Sequence, residues 1–283
     1  MSSQTNGLPI GKTAPVRRTL AGFLFALSYA ALCLAAGGFL LQRTVFDPDL
    51  TADAAAPVLQ EPAILKELTK RIAAATTAEL GKSTIEIEAL VNSVAANAEG
   101  ARILSDVLRD AHARLIGQQR GPVQITATQM VQIVRSERVG GVAPLTIPVP
   151  RVAALDITRA ILKWAVPLAA IAALVLFGLG LAAHPDRASL VRSLGFGLMA
   201  LGAAVTVMGY ILPRFVVPAV SSSVWAKVPP ILADEERWLV IGATVVLVAA
   251  GGALIVSAGM INRQRRWSTP INTYRYSEER RWG

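Results

Sequence analysis

Four stretches of this chain carry no Asp, Glu, Lys or Arg over a length that matters. They lie between Arg18 and Arg43, Lys163 and His184, Arg192 and Arg214, and Arg237 and Arg263, and each has 20 or more residues. A helix rises about 1.5 Å per residue, so about 20 residues cross a hydrocarbon core of roughly 30 Å. A charge at the centre of such a helix costs roughly 2.5 to 3.5 kcal/mol on insertion. Buried helices of soluble proteins seldom run this far without a polar break. The pattern therefore predicts a membrane all-α fold with four transmembrane helices, and charged residues at only 17% of the chain agree with it.

The runs divide the chain. Residues 1–18 read as a disordered cytoplasmic tail and 19–42 as the first transmembrane helix. Residues 43–158 read as an extracytoplasmic domain, 159–183 as the second helix and 184–192 as a cytoplasmic turn. Residues 193–212 form the third helix, 213–237 an outer loop, 238–261 the fourth helix and 262–283 a basic, aromatic cytoplasmic tail. The first run follows Arg17 and Arg18, as a signal peptide would. It is too long for one, because a signal core has about 7 to 15 apolar residues. It reads as an uncleaved anchor. Cys33 is the single cysteine, so no internal disulfide can form.

The net charge of +9 is distributed by side of the membrane. Lys12, Arg17 and Arg18 precede the first helix, Arg187 and Arg192 lie in the middle turn, and Arg263, Arg265, Arg266, Arg275, Arg280 and Arg281 follow the fourth. The segment 43–158 holds 12 basic and 13 acidic residues. The positive-inside rule then places both termini in the cytoplasm of a cell bounded by this cytoplasmic membrane. The basic excess reports topology and contact with the lipid bilayer, and implies no nucleic acid.

Within the large insert, 43–60 reads as a linker broken by Pro48 and Pro57. Pro62 suits a first helical turn. Leu65, Leu68, Ile72 and Ala75 share a helical face that Gly81 ends. Ile87, Leu90, Val91 and Val94 form a second face. Asn97 suits the cap of a third helix, striped by Leu104, Val107, Leu108, Ala111 and Leu115. Val123-Gln124-Ile125 reads as a short strand. Thr126 to Gln129 fits a capping box opening a helix with Ala127, Met130, Val131 and Val134, closed by Gly140-Gly141. Leu145 to Pro150 reads as a second strand held to an edge by its prolines. The insert is thus a mainly helical domain with a small two-stranded β element. Phe215 and Trp225 of the outer loop, with Trp238, suit the lipid headgroup level.

The chemistry-bearing residues are few. His112 has neither a cysteine nor a second histidine nearby to share a metal, and no nucleophile at helical spacing, and reads as a surface histidine. His184 lies at a helix C-terminus, where a cation is favoured. Arg102, Asp106, Asp110 and Arg114 at spacings of four read as a solvated charge ladder. Ser221-Ser222-Ser223 lacks a companion triad. Ser28, Tyr29, Thr206, Tyr210, Thr244 and Ser257 are polar side chains inside the expected helices, and none is the intramembrane charge that marks an ion path. Neither a Walker loop, a dinucleotide fingerprint nor HExxH occurs. No catalytic, cofactor-binding or metal-binding residue is assigned, and no cofactor is implied.

The stretch Asp110-Ala111-His112, Leu115, Gly117, Val123-Gln124-Ile125 and Pro144 to Pro150 resembles four-helix integral membrane proteins of actinobacteria. The resemblance implies a helical extracytoplasmic insert before three clustered helices, and implies no catalytic residue. The reading that follows is a non-enzymatic multi-pass protein of the cell envelope. Its outer domain recognises a membrane or envelope protein partner or another envelope component. An accessory subunit of a transporter or secretion assembly is the alternative, and a lipid-modifying enzyme comes last.

Overall fold

A computed structural model describes residues 13–183 and 187–267, and it is 84% helical. The expected tail up to residue 12, the turn residues His184, Pro185 and Asp186, and the tail from 268 on lie outside the described residues.

Helix α1 (Thr13–Phe46) leads into α2 (Pro48–Asp53) and α3 (Ala55–Leu59). The expected linker is therefore folded. Asp47 caps α2 by accepting from the Asp49 amide at 3.1 Å, with Pro48 pre-set for the first turn. Thr51, Ala55, Val58 and Leu59 of these short helices are buried. Proline acts here as a helix starter rather than a breaker.

Helix α4 (Pro62–Leu80) starts at its proline and stops at Gly81, which adopts φ 62°. Helix α5 (Thr84–Ala95) opens with a capping box of Ser83 and Glu86. Helix α6 (Ala98–Leu115) carries the buried stripe Leu104, Val107, Leu108, Ala111 and Leu115. Strand β1 (Val123–Ile125) pairs antiparallel with β2 (Leu145–Ile147), in the register Val123 to Ile147. Between them lies α7 (Ala127–Val134), opened by the Thr126–Gln129 capping box. It ends at Arg135, earlier than the glycine pair at 140–141, which belongs to a separate 3-10 turn.

Four helices are long and apolar enough to cross a membrane: Thr19–Phe46, Ala153–Ala183, Ser189–Ala219 and Arg237–Met260. They belong to α1, α8 (Ala153–Ala183), α9 (Arg187–Thr206) with its continuation, and α12 (Arg237–Trp267). Past Thr206 the third becomes a π-helix, Val207–Val216, then α10 (Val217–Ala219). The helix thus runs on where the outer loop was expected to begin. Pro213 explains the change of winding. It has no N–H to donate, and in an α-helix its ring would press on the carbonyl four residues back, at Gly209. The wider π turn relieves that clash. Arg214 and Tyr210 of this segment both bond the Asp234 carboxylate, the tyrosine hydroxyl donating at 3.2 Å.

The described chain forms two compact units. One comprises residues 13–33, 170–183, 187–203 and 243–267; the other comprises Leu34–Ala169 and Ala204–Gly242. In the first, Gly195 and Gly251 let α9 and α12 touch backbone to backbone, since a Cβ on either would lie 2.6 Å from the other's carbonyl oxygen. Ser28 donates to the Ala173 carbonyl at 2.8 Å, and Phe25 packs edge-on against Phe177 at 5.6 Å between ring centroids.

The second unit holds a continuous apolar core. Leu68, Ile72, Leu104, Leu108 and Val134 are buried in it, with Val131 packed on its edge. The core also takes in Val217, Trp225, Val228 and Leu232. Trp225, expected at the lipid headgroups, is 2% exposed. The segment after the π-helix, with its 3-10 turn Val224–Lys227 and α11 (Val228–Glu235), is a part of this core rather than a loop beside it. Lys227 to Glu61 at 2.5 Å and Arg43 to Glu236 at 3.5 Å pin it at the rim.

Candidate functional site

Two places in the second unit concentrate polar chemistry. The first is an interior node. His112 points inward from α6 and is 0% exposed, so the reading of a surface histidine is corrected. Its Nε2 lies 2.8 Å from the Val45 carbonyl and its Nδ1 2.5 Å from the Thr51 hydroxyl. A carbonyl only accepts, so Nε2 carries the proton and Nδ1 accepts from Thr51. Burial lowers the imidazole pKa from 6.5 to about 4, against smaller upward pulls from the Val45 carbonyl and the Asp47 carboxylate. The ring is neutral and fully bonded at neutral pH. It joins the end of α1 and the middle of α2 to α6. That is the chemistry of a fastener, since neither ring nitrogen is left to take a substrate proton.

The charge ladder on α6 is also different in detail. Arg109 takes Asp106 at 3.4 Å and Asp110 at 3.8 Å. Burial raises the Asp110 carboxyl pKa, with Arg109 acting in the opposite direction. Arg114 leaves the ladder altogether. It donates to the Val149, Arg120 and Gly121 carbonyls at 2.8, 2.9 and 2.5 Å, and so holds the approach to β1 against the exit from β2. Gly117 closes α6 at φ 76°, where a Cβ would lie 2.6 Å from that of Asp156. Of the serines at 221–223, Ser223 caps the 3-10 turn by accepting from the Trp225 amide. His184 lies outside the described residues.

The second place is a groove of about 620 Å³ where the end of α5, the start of α6 and α7 meet. Asn97, Glu99, Arg102, Asp106, Gln132 and Arg135 supply most of its polar lining. Asn97 turns its amide back to the Ser93 carbonyl at 2.8 Å, leaving the first turn of α6 without a side-chain cap. Arg102 and Arg135 are exposed, and no ion pair holds either one among the described residues. Arg135 has φ 53°, the one non-glycine residue in the left-handed region among the described residues. For a residue with a Cβ this conformation costs roughly 1 to 2 kcal/mol. A glycine would sit there without strain, as Gly81 does after α4. The sequence singled out Arg102 only as a ladder member, and did not single out Arg135. The one available signal was an arginine, not a glycine, directly after the last apolar position of α7.

Among the described residues no group of three or more His, Cys, Asp and Glu side chains is placed to hold a metal ion. No protein-family model, curated protein or solved structure matches this chain.

Proposed function

We propose that this is a non-enzymatic, multi-pass protein of the cytoplasmic membrane with both termini inside, whose 43–158 domain lies outside and recognises a membrane or envelope protein partner at the α5–α6–α7 groove. The resemblance to actinobacterial four-helix membrane proteins is in keeping with this reading. The observation that carries it is Arg135: a strained backbone position that presents an unpaired guanidinium to a groove already containing a second one. Strain of this kind persists where a side chain's placement matters more than local stability.

The groove's chemistry indicates the partner surface. Arginine forks bind carboxylates in a bidentate way. Glu99 stands beside the two arginines, while Asp106 is held by Arg109, so the complement is a peptide segment of mixed charge with an acidic excess rather than a polyanion. Cross-linking in intact cells, followed by purification in mild detergent, tests this with the wild type and an Arg102→Ala/Arg135→Gly variant. The expected result is a discrete partner that the double variant loses while its own level persists and its thermal stability does not fall. An unchanged set of cross-linked proteins would remove the groove from the account. Reporter fusions at Gly7, Gly121 and Gly283 test the topology separately, and cytoplasmic activity at Gly121 would overturn it.

A further inference from the structure

The first unit contains its own groove, of about 440 Å³, between α1 and α9. We propose that it is a binding site for one anionic phospholipid, with the phosphate at Arg192. The proposal rests on the membrane reading above.

The argument begins with helical spacing. Positions 189, 193 and 197 of α9, and positions 192, 196 and 200, recur every four residues and so present one face. The residues there change in character along the helix. Ser189, Arg192 and Ser193 come first, then Phe196, Gly197 and Ala200. Gly22, Ala26 and Tyr29 of α1 form the facing wall. Gly197 is buried against the Tyr29 ring, which makes these two the floor. Small side chains at 22, 26, 197 and 200 leave an apolar slot, and the slot has a hydroxyl- and guanidinium-lined mouth.

Arg192 is exposed at that mouth, and no ion pair holds it among the described residues. Its guanidinium carbon stands 5.9 Å from the Phe196 ring centroid. A cation–π contact at that distance leaves guanidinium N–H groups to donate to phosphate oxygens. A polar, cationic mouth continuous with an apolar slot matches a molecule with a phosphate at one end and hydrocarbon at the other. A soluble phosphate would leave the slot unfilled, and a neighbouring apolar helix would leave Arg192 without a counter-charge.

The test uses the full chain, first inserted into vesicles and washed with alkaline carbonate. It is then extracted in mild detergent with equal amounts of phosphatidylglycerol and phosphatidylcholine, and the lipid retained per chain is read by native mass spectrometry. Wild type should keep one phosphatidylglycerol in preference to phosphatidylcholine. Arg192→Gln should reduce that preference about tenfold, the loss of a charge-assisted phosphate contact. Ala26→Trp, which fills the slot and spares the charge, should lower retention of both lipids. Equal retention of phosphatidylglycerol by wild type and Arg192→Gln overturns the site, as does a dimer that Ala26→Trp dissociates without altering the lipid count. Release of the chain by carbonate would overturn the membrane reading itself. An inserted chain without lipid preference overturns the lipid site alone.

Discussion

Leu68, Ile72, Leu104 and Leu108 of the second unit are 0% exposed, whereas Leu174, Leu179, Val246 and Val256 of the first unit stand in the open. Between residues 47 and 150, Ile85 is the one large hydrophobic side chain exposed among the described residues. The four apolar helices bury only 11 to 28% of their most apolar windows. The two regions use the same aliphatic residues and place them oppositely. Water drives the first set inward, because each large aliphatic side chain gains roughly 1.5 to 3 kcal/mol on burial. On the membrane reading, hydrocarbon surrounds the second set and gives it no reason to turn in. Close contacts such as Gly195 on Gly251 then hold the helices instead.

That contrast is open to direct attack. Leu108→Asp should have the largest effect. An unpaired carboxylate in the core costs several kcal/mol, enough to unfold the second unit and open it to protease. Unaltered proteolysis would refute the core assignment. Trp225→Ala should cost about 3 to 5 kcal/mol, as deletion of a buried tryptophan does. Trp238→Ala, at a side chain 70% exposed, should change thermal stability by no more than about 0.5 kcal/mol. Similar losses at the two tryptophans would mean that the segment after the π-helix is not a part of the core.

Leu174→Asp is the counterpart of Leu108→Asp. It should leave the protease pattern of the second unit intact while costing roughly 2.5 to 3.5 kcal/mol in membrane insertion, read as a lower inserted fraction. Insertion at the wild-type level would contradict a lipid-facing position.

Acid should weaken the second unit through His112. The unfolded imidazole takes a proton near 6.5 and the folded one only near 4. Between those values the unfolded chain binds more protons, so stability is complete above 6.5 and falls as pH drops toward 4. The loss from this group alone is about 3 kcal/mol across that window. His112→Gln should start less stable at pH 7 and lose less on acidification, so the two melting temperatures converge. Parallel melting curves at every pH would exclude His112 as the source. The smallest effect has the opposite sign. Arg135→Gly should stabilise the unit by about 1 kcal/mol by relieving its left-handed backbone. Destabilisation would show that the arginine is held there for packing.

Features set by near neighbours were legible in the sequence. Pro62 starts α4, Gly81 stops it, and the Thr126–Gln129 box opens α7, because each depends on residues within one helical turn. The strand pair 123–125 with 145–147 was legible for the same reason, being short apolar runs between breakers. His112 was not, because its two partners lie 61 and 67 residues away in a stretch that reads as linker. Trp225 looked like a lipid-interface residue because it is an aromatic ring in a loop between two apolar runs, and only the tertiary fold gives it a core to enter. The groove escaped for a related reason. Its lining comes from three helices, and neither arginine belongs to a local pattern that distinguishes a binding group from a solvated one.

The core that holds His112 is written in two separate pieces of chain, and this fixes a timetable for its birth. Leu104 and Leu108 leave the ribosome well before Trp225 and Leu232, their partners in the same core. Synthesis at about 5 to 20 residues per second leaves an interval of roughly 5 to 25 seconds between them. Throughout that interval the early piece has an unfinished apolar side. The early apolar side stays open until residues 217–232 emerge, and a stop codon between residues 150 and 217 would strand a domain that has most of its sequence and lacks Val217, Trp225, Val228 and Leu232 to close it.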